Sequence, residues 1–184
     1  MPPEPSKMIA LGSPMPSFEL SDSDGNRVSP DSVGGAKATV VMFLCNHCPF
    51  VVHVKDELRL LNTAYSDKGV RFVAINSNDA EQYPADSPEN MKLKAQEWDW
   101  QFPYLYDSTQ QVAKSFGAVC TPDIFVYDSE HKLAYRGQLD DSRPNNGLPV
   151  DGNDIRLALD ALIAGDQPTA DQKPSIGCSI KWRE

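Results

Sequence analysis

Cys45 and Cys48 stand three residues apart in the stretch CNHCPF, with His47 between them and Pro49 directly after. Thiols at this spacing serve three chemistries: a reversible short-loop disulfide, half of a metal site, or two inert buried neighbours. A thiol attacks only as its thiolate, and a helix N-terminus offers unpaired N–H groups and a partial positive charge that favour the anion. Cys48, immediately before Pro49 and a predicted first turn, is better placed for this than Cys45. His47 is either a supporting imidazolium or a turn residue facing solvent. A structural zinc site would draw its four ligands from Cys45, Cys48, His47, His53, Cys120 and Cys178, but no second close pair completes the pattern. Thiol redox chemistry is therefore the preferred reading of the pair.

Such a pair needs a rigid junction to hold it. The apolar run 38–44, β-branched in its first half, predicts a strand covered on both faces that leads straight into Cys45. From Val51 the period changes: Val51, Val54, Leu58, Leu61 and Tyr65 form one helical stripe, with His53, Lys55, Asp56, Glu57 and Arg59 off it. Pro49 suits the first turn of that helix, and Lys68-Gly69 supplies its stop. A second buried strand, 70–75, ends in the polar run Asn76–Asp79, and 83–86 reads as an inserted loop. Ser87 then caps a helix begun by Pro88 and carried through Trp98.

Residues 102–106 form a short strand or an extended connection, and Ser108–Gln111 spells a capping box for a helix stopped by Gly117. Segments 124–127 and 133–137 predict an antiparallel hairpin, and a last helix covers about 154–164, with Asp151–Asp154 available as its cap. Near the start, Phe18, Leu20 and the turn Asp24-Gly25 mark a short edge strand or hairpin. The alternation gives one α/β domain with a mixed sheet. Its expected limits are 10–165, after a flexible lead-in at 1–9 and before an extended tail at 166–184 that carries the apolar residues Ile176, Ile180 and Trp182.

The composition suits a globular chain: 184 residues, 40% hydrophobic and 23% charged. A net charge of −9 argues against a nucleic-acid partner. No apolar run approaches the ~20 residues needed to cross a bilayer, so no membrane role is expected and the chain reads as cytoplasmic. Four cysteines are too few for a disulfide scaffold. Cys120 reads as a buried thiol before a turn, and Pro122 marks a strand entrance or a tight connection open to the cis form. Cys178 lies in a glycine-containing tail, as a second-stage resolving thiol or as a packing residue.

Together, the lead-in Gly12–Leu20, the strand entering Cys45–Phe50, the helix, the Thr121-Pro122 step before the hairpin and the closing helix resemble the thioredoxin-like superfamily. Within it, the chain is similar to the redoxin branch related to alkyl hydroperoxide reductase and thiol-specific antioxidant, in a bacterial subgroup with a CNHCP motif and a SIGCSIKW tail. The resemblance implies a thioredoxin-like fold, a central mixed β-sheet flanked by helices on both faces. It also implies a nucleophilic cysteine capping the first long helix and facing a cis-proline. That proline maps to Pro122, preceded by Thr121, and would position an extended substrate backbone.

Matched as a unit, CxxC makes Cys45 the attacker. The distance from Phe43 and the Cys48-Pro49 step instead favour Cys48 as nucleophile and Cys45 as resolving thiol. In that match Cys45 replaces the threonine of the peroxiredoxin pattern and Val41 its proline. Cys120-Thr121-Pro122 stands where a peroxidase carries an arginine, and neither Arg136 nor Arg143 matches that position. The expected function is a thiol-disulfide oxidoreductase. It would act on a disulfide-bearing protein or small molecule, draw on a thiol electron donor and use no cofactor. The alternatives are a peroxidase, with Cys48 oxidised to sulfenic acid and resolved by Cys45 or Cys178, and a metal-binding or redox-sensing protein without turnover.

Overall fold

The computed structural model describes residues 2–184. In chain order the strands are β1 (Glu4–Pro5), β2 (Leu20–Ser21), β3 (Arg27–Val28), β4 (Ala38–Phe43), β5 (Val70–Asn76), β6 (Tyr104–Tyr106), β7 (Cys120–Thr121), β8 (Asp123–Asp128), β9 (Leu133–Arg136) and β10 (Ile176–Ser179). The helices are α1 (Pro30–Val33), α2 (Pro49–Tyr65), α3 (Pro88–Glu97), α4 (Gln111–Phe116) and α5 (Asn153–Ala164), and short 3₁₀ turns cover Ser66–Lys68 and Pro84–Asp86.

The main sheet runs β6-β5-β4-β8-β9, parallel from β6 through β4 and antiparallel from β4 to β9. The continuous apolar run of β4 is explained by its central place. Val40 and Met42 face Val51, Val54, Leu58 and Leu159 on one side, while Val41 and Phe43 face Phe116, Phe125 and Tyr127 on the other. This is the predicted thioredoxin-like arrangement, a mixed sheet with helices on both faces. Each fully buried aliphatic side chain on the α2 stripe contributes about 1.5–3 kcal/mol by leaving water, and this clamps the start of α2 against the end of β4.

Several local expectations change. Glu57, read as off the apolar stripe, is buried and accepts hydrogen bonds from the Arg156 guanidinium, because α5 packs over that side of α2. No side chain caps α5. Gly152 precedes it at φ 62°, where a Cβ would meet Glu57 Oε1 at 2.7 Å, and the amides of Asp151 and Gly152 both donate to Asp140 Oδ2. The Ser108–Gln111 capping box does not form either. Buried Asp107 accepts from the Ala113 amide at 2.9 Å and from Ser77 Oγ at 2.8 Å, and so supplies the helix start from the end of β6.

The lead-in and tail segments meet each other. β10 pairs antiparallel with β1 on one edge and with β7 on the other, in the register Cys178 opposite Thr121. Beyond it Ile180 is buried and donates its amide to Val119 O at 2.9 Å, and the Lys181 amide donates to Asn78 Oδ1 at 2.8 Å.

Candidate functional site

β4 ends at Phe43, and the chain turns through Leu44–His47 so that Cys48 is the N-cap of α2, with Pro49 as the first helical residue. The amides of Val51 and Val52 both donate to Cys48 O at 3.0 Å, which fixes that turn. The local reading of Cys48 at the helix start is thus realised. Its sulfur, however, is covered: Cys45 is 1% and Cys48 0% exposed, whereas Cys178 is partly open.

Cys48 Sγ lies 2.9 Å from Cys178 Sγ and 3.2 Å from Thr121 O, and Cys45 Sγ lies 3.3 Å from Thr121 Oγ1. The Thr121–Pro122 peptide is cis. The strand pair β7–β10 therefore lays Thr121 and Cys178 side by side over the start of α2.

The three thiols differ in acidity. A hydrogen bond from the Cys45 thiol lowers Cys48 to about 5 against the opposing effect of burial, with smaller help from the Cys178 thiol and the Val51 amide. Sγ makes no regular capping hydrogen bond, so sulfur neighbours outweigh the helix end here. Cys45 is pushed well above its ordinary value by that same bond, by burial and by the Asp86 charge. Burial and the Cys48 sulfur push Cys178 up to about 12. Cys48 is thus the anion of the group at neutral pH, and Cys45 and Cys178 keep their protons.

His47 does not simply face solvent. Its Nδ1 lies 2.8 Å from Asp86 Oδ2, and its ring stacks on Tyr83 with centroids 6.0 Å apart. The Asp86 hydrogen bond raises its pKa above the ordinary 6.5. Asp86 is fully buried. Its Oδ1 accepts from the Asn46 amide at 2.7 Å and Asn76 Nδ2 at 3.3 Å, and its Oδ2 accepts from Asn78 Nδ2 at 2.8 Å. The insertion around 83–86 is therefore a wall of the site. Asp86, Tyr83, Asn46 and Asn78 escaped the sequence reading. The available signal was the polar run Asn76–Asp79, buried throughout at the end of a buried strand.

The other candidates fall elsewhere. Burial pushes the Cys120 thiol up, and its sulfur lies 3.8 Å from Pro122 O. His53 Nε2 lies 3.1 Å from Ser142 Oγ. Among the described residues, the one group of three metal-capable side chains is Cys45, His47 and Asp86, with ligand atoms within 4.8 Å of one another. Both Asp86 oxygens are already occupied by four donors, so this cluster is satisfied as a hydrogen-bond network.

A redoxin family model matches residues 10–149. The chain belongs to the redoxin family. An uncharacterized conserved protein from Geobacillus kaustophilus has a crystal structure of the same form: 60% identity, TM-score 0.98, covering 100% of this chain and 97% of that one. The thiol-disulfide oxidoreductase ResA of Bacillus thuringiensis is 21% identical over 125 residues, 68% of each chain. The cysteine geometry and this redoxin kinship are consistent with a thiol-dependent oxidoreductase.

A secreted disulfide oxidoreductase of Mycobacterium tuberculosis, homologous to DsbE of Escherichia coli, shares the fold at 16% identity, with a TM-score of 0.58 over 80% of this redoxin and 95% of that chain. The cytoplasmic placement expected from the sequence is withdrawn, because the same fold serves a secreted protein and so does not mark the cytoplasm. Composition and cysteine count do not specify a compartment, because a reversible thiol pair works wherever a donor and an acceptor thiol system exist. No helix among the described residues is long and apolar enough to cross a membrane.

Proposed function

We propose that this redoxin is a thiol-disulfide oxidoreductase in which Cys48 is the nucleophile and Cys45 the resolving thiol. The observation that carries the reading is the position of Cys48 Sγ at the start of α2, held as a thiolate by the protonated Cys45 beside it. Cys48 attacks one sulfur of a substrate disulfide and the other sulfur leaves. Cys45 then attacks Cys48 Sγ and releases the second substrate thiol, leaving the Cys45–Cys48 disulfide. Thr121 and Pro122 line the edge where an extended substrate backbone would lie. β10 covers that edge, so a bulky substrate requires the strand to move aside. His47, whose charged form is favoured by its Asp86 hydrogen bond and by the Cys48 charge, is the proposed support of the neighbouring thiolate.

A peroxidase of the resembled pattern would need an arginine aimed at the reacting sulfur. Arg136 instead donates to Gln172 Oε1 at 2.8 Å, and Arg143 donates to Asp140 O at 2.8 Å and Gln138 Oε1 at 2.5 Å. This supports disulfide exchange over peroxide reduction. The unit that performs it is 10–165, with 166–184 contributing Cys178. The CNHCP and SIGCSIKW segments border one centre, which supports their use as marks of a subgroup in the branch related to alkyl hydroperoxide reductase and thiol-specific antioxidant.

The test compares two acceptors on the reduced protein. Reduction of a disulfide-bearing protein is expected to outpace thiol loss to stoichiometric hydroperoxide; faster loss to peroxide would establish the peroxidase instead. An ultraviolet titration of the reduced protein should reveal one thiolate at neutral pH that protonates on acidification with a midpoint near about 5. Replacing Cys45 with alanine should move that midpoint upward, because the main donor to the thiolate is gone. A midpoint left unchanged would remove the basis for assigning Cys45 that role.

A further inference from the structure

Three observations meet at Cys178 and give it a part that the Cys45–Cys48 exchange leaves open. Its sulfur is the partly open one in a centre whose other two sulfurs are buried. It stands 2.9 Å from Cys48 Sγ, within 1 Å of the ~2.05 Å of a disulfide bond. The strand that carries it is fitted to this place. A Cβ on Gly177 would meet Thr121 O at 1.9 Å, and β1, the buried Ile180 and the Lys181–Asn78 hydrogen bond hold β10 on either side of Cys178. Cys48 thus sits between two thiols, one facing the core and one facing solvent.

Resting on the oxidoreductase reading above, we infer that Cys178 is the exchange thiol through which this protein is re-reduced: the disulfide formed at Cys45–Cys48 passes to Cys48–Cys178, and an external dithiol donor attacks Cys178. In the first step the Cys178 thiolate attacks Cys48 Sγ. The Cys48–Cys178 bond forms and the Cys45–Cys48 bond breaks. Cys45 leaves as a thiolate and takes up the proton that Cys178 lost, with the Thr121 hydroxyl 3.3 Å away to stabilise it. No net oxidation occurs.

In the second step a donor thiolate attacks Cys178 Sγ, and Cys48 leaves as its stabilised thiolate. A more acidic leaving thiol departs faster, so attack on the outer sulfur is favoured by chemistry as well as by access. The donor's second thiol then attacks the donor sulfur of the mixed disulfide. Cys178 is released and protonated, and the donor has lost two electrons and become a disulfide.

The experiment oxidises the full chain with oxidised dithiothreitol, quenches by alkylation and maps the disulfide peptides, then follows re-reduction by dithiothreitol. The wild-type protein is expected to distribute its disulfide between Cys45–Cys48 and Cys48–Cys178, and Cys45→Ser to form Cys48–Cys178. Cys178→Ser, folded by circular dichroism, should be re-reduced about tenfold more slowly or worse, a barrier increase of about 1.4 kcal/mol. Gly177→Ala, which lifts β10 from Thr121, should keep Cys45–Cys48 and lose the Cys178 pairing. If Cys45–Cys48 forms and turns over while Cys178 never pairs, or Cys178→Ser is re-reduced at the wild-type rate, this inference alone fails. If no disulfide on Cys48 arises in any of these proteins, the oxidoreductase reading falls with it.

Discussion

Replacing Cys48 with serine is expected to slow reduction of a disulfide-bearing protein by about a thousandfold or more, equivalent to about 4 kcal/mol of transition-state stabilisation. A serine hydroxyl stays protonated at every accessible pH, whereas the Cys48 thiol is lowered to about 5 and is an anion at neutral pH. The substitution is close to isosteric and buries no new charge, so the folded state should persist and the lost rate should report chemistry. It should also remove the neutral-pH thiolate signal. Cys45→Ser should behave differently: Cys48 still attacks, and the mixed disulfide is then resolved by Cys178, so turnover persists at a reduced rate. Measured initial rates decide the assignment. A Cys48→Ser protein within about threefold of wild type, where the stakes are only ~0.7 kcal/mol, would transfer the nucleophile to Cys45.

The second large effect lies off the sulfurs. Asp86→Ala is expected to cost about 2–4 kcal/mol of stability, because the buried Asn46 amide and the Asn78 amide group lose their acceptor at once. For a chain of this size that lowers the melting temperature by roughly 5–15 °C. The pH dependence has two limbs. Burial pushes the Asp86 carboxyl up, but hydrogen bonds from His47, Asn78 and the Asn46 amide outweigh it, leaving the group below its ordinary 3.8. Its stabilisation is therefore present above the unfolded value and lost as pH falls through the folded one.

His47 has the opposite sign. Its pKa is raised above 6.5, so its share of stability is complete below that value and is lost as pH rises through the folded pKa. Asp86→Ala should abolish both limbs. Thermal unfolding across pH 3–9 measures them, where the lower bound is roughly one unit below the ordinary carboxylate range. An alanine protein that melts within a degree of wild type, with the same pH profile, would show that Asp86 does not organise the wall of the site.

Both experiments turn on residues of very different visibility in the chain. Cys48 was legible because everything that marks it is local. A run of six buried residues, all apolar but Thr39, makes β4, Pro49 opens a helix, and the stripe Val51–Tyr65 orients that helix before any distant contact is considered. Asp86 was not legible for the same reason inverted. The hydrogen bond it accepts from the Asn46 amide spans 40 positions in the chain, beyond any local periodicity. The failed capping box at Ser108 makes the point in miniature. Its local pattern was sound, yet buried Asp107 held the stronger geometry by bonding two segments at once.

By itself, the order of residues determined the sheet, the long helix and the two cysteines at their junction, since burial patterning and helix-start chemistry act over a few neighbouring positions. Only the tertiary structure decided which thiol is anionic and which is exposed. Those properties depend on Cys45 and Cys178 flanking Cys48, and Cys178 arrives from 130 positions away on a strand whose pairing with Thr121 no nearby residue announces. The physical reason is that acidity and access are set by what packs around a sulfur, and packing joins parts of the chain that local preference leaves unrelated.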